Sequence, residues 1–231
     1  MPGVLVTATG TEVGKTFVTC GLLRAARRAG RPVTALKPVL TGYAAADAAE
    51  SDAGRLLAAQ DIVIDSTAIS AISPWRYAAA LSPDMAAAAE GRKAPGLAAV
   101  AAFCGATLAP ERLTLVEGIG GVMVPLDRSH TVLDLAAELA LPILLVSPTA
   151  LGAISHALTA VAALADRGLS PALLLLVESP GATVPAAATR DTLAAFCPGV
   201  PIATLPRDPP EAAFDVLLAT LSSSRHPRSA A

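Results

Sequence analysis

Thr7-Ala8-Thr9-Gly10-Thr11-Glu12-Val13-Gly14-Lys15-Thr16 decides the fold class, because it ends in the Gly-Lys-Thr of a phosphate-binding loop. The apolar run Val4-Leu5-Val6 before it predicts a strand, and residues 17–29 after it predict a helix, which is the order the loop requires. Backbone N–H groups of such a loop, together with the positive end of the following helix, form a cradle for phosphate oxygens. Lys15 would reach the terminal phosphates as a point charge, and the Thr16 hydroxyl would ligate a bridging Mg²⁺. Glycine at position 14 is expected because a side chain there would collide with the nucleotide. The glycine spacing is irregular: Thr9 stands where glycine is usual, and Gly10 is the loop's other glycine.

The 231 residues are enough for one large α/β domain with a sizeable core, expected over 1–221. Residues 222–231 carry no apolar periodicity and read as a flexible C-terminal tail. Apolar residues make up 53% and charged ones 16%, much of the former being alanine suited to helices. No run approaches the ~18 apolar residues of a spanning helix. The first strand begins by Val4, with no room before it for a leader, so the expectation is a soluble cytoplasmic protein without a membrane partner. A formal net charge of −2 gives no electrostatic footprint for nucleic acid. Arg24, Arg27, Arg28 and Arg31 cluster at the end of the first helix, where they complement its dipole. Cys20, Cys104 and Cys197 are far apart and lack metal-ligand spacing, so core thiols are expected. His130, His156 and His226 are too scattered for a zinc site or a Ser-His-Asp triad.

Further strands are predicted at 33–36, 113–116, 143–146, 172–177 and 202–205, alternating with Ala/Leu-rich helical segments. The pattern predicts a P-loop NTPase-like three-layer α/β/α fold with a mostly parallel central sheet. Sites in such sheets lie beyond the carboxyl ends of the strands, and motifs do follow the strands here. Lys37-Pro38-Val39-Leu40-Thr41-Gly42 puts a lysine and a hydroxyl on a loop bounded by proline and glycine. Glu117-Gly118-Ile119-Gly120-Gly121 sets a carboxylate, in the position of a Mg²⁺ ligand, before a flexible glycine loop. Ser147 to His156 is a small-residue loop entering a helix, whose free N–H groups suit a carboxylate. Each alone also reads as an ordinary turn, cap or surface charge; together they point to one shared site.

These motifs, with Glu50-Ser51-Asp52-Ala53, Leu81-Ser82-Pro83 and Leu151-Gly152-Ala153-Ile154-Ser155-His156, resemble those of dethiobiotin synthetase in order and spacing. The resemblance implies an ATP-dependent ring closure, in which 7,8-diaminopelargonate takes up CO₂ as a carbamate, ATP phosphorylates it, and the second amine closes a cyclic urea. It further implies that Thr16, Asp52 and Glu117 hold Mg²⁺, and that Lys15 and Lys37 concentrate positive charge. Thr11 and Thr41 would orient carbamate and phosphoryl oxygens, with Glu12 near the substrate amines. ATP would lie along Glu12, Val13, Gly14, Lys15, Thr16 and Phe17, with its base near Glu178 and Pro206. The family is homodimeric. The substrate's tail carboxylate is received by the partner subunit at the loop matching Leu151, Gly152, Ala153 and Ser155, and Gly118 also belongs to the substrate site.

The chain departs from the family pattern at Ala8 and Gly10, at Asp84 and at Ser155. Glu178 stands where the family often has an asparagine that reads adenine. An ionised carboxylate only accepts hydrogen bonds, so triphosphates other than ATP are expected to support turnover. The alternative from another class is a partition-type ATPase acting as a nucleotide-switched binding module. Proteins of that kind carry an extra lysine early in the loop, whereas no lysine precedes Lys15 here. A cobyrinate-type amide ligase would need a glutamine-hydrolysing domain for which the chain has no residues left.

Overall fold

Runs of Val, Leu and Ile too apolar to leave either face in water must lie in the middle of a sheet covered on both sides. In the computed structural model, which describes residues 2–179, 181 and 184–223, they do. Strand β1 (Gly3–Ala8) is buried at every position. It sits inside a six-stranded sheet with β2 (Val33–Leu36), β5 (Leu113–Glu117), β6 (Ile143–Pro148), β7 (Pro171–Val177) and β8 (Ile202–Leu205), in the order β2-β5-β1-β6-β7-β8. Every pairing in it is parallel. All six strands expected from the sequence are present, each within a residue or two of its expected ends.

From β1 the chain crosses through helix α1 (Lys15–Arg28) to the β2 edge, and from β5 it runs the other way through α6 (Val132–Leu139), α7 (Ala153–Asp166) and α8 (Ala186–Phe196). Right-handed crossovers in opposite directions place α1 on one face and α6 to α8 on the other. The reversal falls at β1, so the crevice at the carboxyl ends of β1 and β5 is where a ligand site belongs. Register fixes it: Val6 lies beside Glu117 on one side and Leu144 on the other.

The region between β2 and β5 holds structure that periodicity did not reveal. It contains β3 (Val39–Thr41), α2 (Asp52–Ala58), α3 (Ser66–Ile72), β4 (Trp75–Tyr77), α4 (Pro83–Ala89) and α5 (Leu97–Thr107). The stretch from Lys37 to Thr41, read as a loop, is partly strand, with β3 and β4 forming a separate parallel pair. Three residues after a proline are too few to show alternation. The last helix, α9 (Glu211–Ser223), packs on α1 and runs two residues into the expected tail; residues 224–231 lie outside those described.

The arginine cluster is also more than a dipole complement. Arg27 pairs with Asp61, Arg28 with Asp215 at 2.7 Å, and Arg31 donates to Ser222 at 2.9 Å, tying α1 to its neighbours. The three cysteines are buried free thiols. Burial pushes the Cys104 thiol up to about 12. No helix among the described residues is long and apolar enough to cross a membrane.

Candidate active site

The phosphate loop takes its left-handed turns at Glu12 (φ 57°) and Gly14 (φ 100°), not at Thr9 or Gly10. This accounts for the irregular spacing, since position 9 has no conformational need for glycine. Gly14 is required by its own backbone, and an added Cβ would meet Val177 at 3.4 Å; no bound nucleotide is needed to explain it. Gly120 and Gly121 are close-packed rather than flexible. A Cβ on Gly121 would come within 3.2 Å of the Thr9 and Gly10 backbone, so only glycine lets this loop back onto the phosphate loop. The close approach delivers the Gly120 carbonyl to Lys15, whose Nζ donates to it at 2.8 Å and to the Gly10 carbonyl at 3.0 Å. Burial, and then the charge of Lys37, lower the Lys15 pKa to about 8, which leaves it mostly cationic at neutral pH.

Beside it lies a cluster of charge almost sealed from water. Lys37 is 2% exposed and Glu117 is fully buried. The Lys37 ammonium donates to Glu117 Oε1 at 2.7 Å, Asp52 Oδ2 at 2.8 Å and the Gly118 carbonyl at 3.0 Å. Burial alone would depress Lys37, but the two carboxylates outweigh it and hold its pKa above the ordinary lysine value. Asp52 is likewise held below its usual range: burial opposes ionisation, and the Lys37 charge overcomes it. Asp52 is delivered by the start of α2, where the Ser51 side chain caps the Gly54 N–H at 3.1 Å.

Thr16 Oγ1 stands 2.9 Å from Asp52 Oδ1 and 2.7 Å from Glu117 Oε1, although its single proton can serve only one of them. Glu117 Oε2 is buried without a hydrogen-bond partner. Three converging hard oxygens and an orphaned carboxylate oxygen fit Mg²⁺, which takes one or two carboxylates and leaves its other positions to phosphate and water. No group of three or more His, Cys, Asp or Glu suited to a metal occurs among the described residues, so these oxygens would need a phosphate to complete the shell.

The cluster opens into a cleft of about 840 Å³ lined by Thr11, Glu12, Gly14, Lys15, Thr16, Phe17, Lys37, Thr41, Asp52, Ser82 of the Leu81-Ser82-Pro83 motif and Arg55, which no motif marked. A second cavity of about 350 Å³ adjoins it, lined by Glu12, Val13, Gly14, Phe17, Pro148, Val177, Glu178, Arg207 and Asp208. Glu12 borders both. Pro206 is exposed and does not line this cavity; its neighbours Arg207 and Asp208 do. Leu151, Gly152, Ala153 and Ser155 line neither cavity: at the start of α7 Leu151, Gly152 and Ser155 are exposed, Leu151 at 91%, and Ala153 is buried. The signal for Arg55 was its spacing, three residues after Asp52 and hence on the same helix face.

The profile of the AAA domain family matches residues 2–212. The ATP-dependent dethiobiotin synthetase of Methylobacterium nodulans is 44% identical over 200 residues, 84% of this chain and 88% of that one. The enzyme of the same name from Phenylobacterium zucineum is 41% identical, with 100% of both chains covered. Among solved structures, the cell division ATPase MinD of Pyrococcus furiosus aligns with a TM-score of 0.53 at 14% identity, over 99% of this chain and 93% of that one, a likeness of fold alone. The nucleotide loop and its charge cluster lie within a span that these relatives match at two residues in five, and the chain belongs to the ATP-dependent dethiobiotin synthetases, ligases of biotin biosynthesis.

Proposed function

We propose that the chain closes the ureido ring through a carbamate and a carbamic-phosphoric mixed anhydride. The observation that carries this reading is the convergence of Lys15, Thr16, Lys37 and Asp52 on one cleft, with Glu117 buried behind Thr16 and Lys37 and bonded to both. The carbamate of 7,8-diaminopelargonate and a nucleotide phosphate are both anions, so their approach is uphill unless fixed cations meet them. Lys15 neutralises the terminal phosphate, while Lys37 faces the developing charge between the reactants. Thr11 and Thr41 orient carbamate and phosphoryl oxygens, and Glu12 holds the amines. The carbamate oxygen bonds to the terminal phosphorus as the bond to ADP breaks. The second amine then attacks the carbonyl carbon, and phosphate leaves. Because the reactants supply every bond, the chain's contribution is positioning and charge.

Thr16, Asp52 and Glu117 would hold Mg²⁺, whose chemistry when bound is to draw charge off the phosphates. Val13, Gly14 and Phe17 would lie along the nucleotide, with its base in the cavity at Glu178 and Pro206 beyond its rim. Gly118 contributes to the substrate site through the loop that fixes Lys37. The start of α7, with Leu151, Gly152, Ala153 and Ser155, would receive the tail carboxylate of a substrate held by a partner subunit, making a homodimer the functional unit. The exposure of Leu151, Gly152 and Ser155, and their absence from the chain's own cleft lining, support that reading. The proposed setting is the cytoplasm, with residues 1–221 as one catalytic domain.

Purified protein with Mg²⁺, ATP and bicarbonate should release phosphate only when 7,8-diaminopelargonate is added. Hydrolysis indifferent to the diamine would overturn the proposal in favour of a nucleotide switch.

A further inference from the structure

The cleft's cations are unequally committed. Lys15 is spent on two backbone carbonyls and Lys37 on two carboxylates and a third carbonyl. The two lysines and the two carboxylates Asp52 and Glu117 cancel in charge as side chains, so beyond a bound Mg²⁺ the two reacting anions call for a further cation. Arg55 is different. It lines the same cleft, it is exposed, and its guanidinium has no hydrogen bond or ion pair among the described residues. Its backbone is fixed: the Arg55 carbonyl accepts from the Cys20 thiol of α1 at 3.4 Å, and its N–H bonds to Ser51. The same short helix begins with Asp52, so the guanidinium stands on a rigid base one turn from the phosphate end of the cleft.

We propose that Arg55 is a substrate-binding residue whose guanidinium takes a reacting oxyanion in the cleft, either a terminal phosphate oxygen or the carbamate carboxylate. A planar guanidinium can offer two parallel N–H groups to either anion, which an ammonium cannot, and it stays charged at any working pH. An uncommitted cation also has no internal bonds to break before it binds, so its contribution to the reacting charge is not offset. The assignment rests on the ring-closure reading for its carbamate arm; its phosphate arm is independent of that reading.

The test uses wild-type protein, Arg55→Gln and Arg55→Ala, each checked for unchanged melting temperature. Calorimetric titration with Mg²⁺ and ATP, and separately with ADP, is set beside turnover with diamine and bicarbonate. Arg55→Gln should lower kcat/KM by about 100-fold, the usual cost of one missing donor to a developing oxyanion, and millimolar guanidinium should restore part of the Arg55→Ala loss. Weaker ATP binding with ADP unaffected assigns the terminal phosphate. Unchanged affinity for both nucleotides, with a fall in kcat or a rise in KM for bicarbonate or diamine, assigns the carbamate. Equal loss of ATP and ADP affinity, or binding and turnover both within twofold of wild type, overturns the proposal. If wild-type protein shows no diamine-dependent turnover, the ring-closure reading fails, and the ATP-against-ADP comparison alone still decides Arg55.

Discussion

The two ends of the nucleotide cleft are built by opposite rules. At the phosphate end, Lys37 and Glu117 are sealed from water, and each ammonium donates to carbonyl or carboxylate oxygens at 3.0 Å or less. At the far end, Glu178 is half-buried, Arg207 and Asp208 are exposed, and the Arg207 N–H reaches Glu178 Oε2 only at 3.4 Å. Buried charge in a low dielectric acts strongly and keeps its geometry, whereas exposed groups on long side chains are screened and adaptable. The chemistry sits where the geometry is stiff. On the proposed placement of the nucleotide, discrimination of the base falls to exposed side chains.

The most severe way to break this contrast is to remove Lys37. Lys37→Ala should abolish ring closure, a fall of about 10³-fold or more for a charge at the reaction centre. Nucleotide binding, which the proposal rests on the loop and Lys15, should stay largely intact by calorimetry. Loss of both together would place Lys37 in the triphosphate clamp and end its separate role. The substitution also strands Glu117 as a buried carboxylate without its counter-ion, a cost of about 3–5 kcal/mol, whereas the partly exposed Asp52 is screened by water. Mg²⁺ should therefore raise the melting temperature of this variant more than that of wild type, since the metal restores the missing charge.

A smaller effect, on stability, tests whether the stiff end depends on its backbone frame. A Cβ on Gly54 would lie 2.0 Å from the Ala48 carbonyl oxygen and 2.8 Å from that of Ala49. Backbone cannot rotate out of the way as a side chain can, so Gly54→Ala should cost about 3 kcal/mol by forcing the start of α2 outward. Chemical denaturation measures that loss. Because Asp52 travels with the same helix start, the Mg²⁺ concentration needed for half-maximal activity should rise as well. A stable variant with normal Mg²⁺ dependence would mean that Asp52 is not positioned by this turn.

What the sequence made legible follows the same division. The six strands and the motif at each strand end could be read because apolar runs and their polar stops are local in the chain. Asp52 and Glu117, 65 positions apart in the numbering, were joined only through resemblance, and no periodicity relates them. Between β2 and β5, helices α2, α3 and α4 escaped because they have seven residues each, too short for an apolar stripe to repeat. Arg55 escaped with them. Lys15's bond to the Gly120 carbonyl was beyond reach for another reason: it depends on a close backbone approach that glycine permits but does not announce. At the second cavity, Glu178 stands in the wall while Pro206 does not, and Arg207 and Asp208, which no motif marked, line it instead.

The mildest prediction concerns that base cavity. On the proposed placement of the base, the Glu178 carboxylate would accept the amino group of adenine and equally the paired N–H donors of guanine, and Arg207, which lines the same cavity, offers donors for adenine's ring nitrogen or guanine's carbonyl. The nearest backbone donors are already used: Glu178 N–H bonds to Leu205, Ser179 N–H to the Thr149 hydroxyl, and Arg207 N–H to Glu178 itself. A site rejects an analogue strongly only when the wrong base leaves buried polar groups unpaired, and exposed groups find water instead. GTP should thus support turnover with kcat/KM within about tenfold of ATP, far from the 10⁴ or more of a buried hydrogen-bonding site. Glu178→Ala should shift the ratio by less than tenfold, a loss on the scale of one exposed hydrogen bond. A strict requirement for ATP in a side-by-side comparison would mean that the far end of the cleft closes into something as stiff as the phosphate end, and the contrast between the two would not survive it.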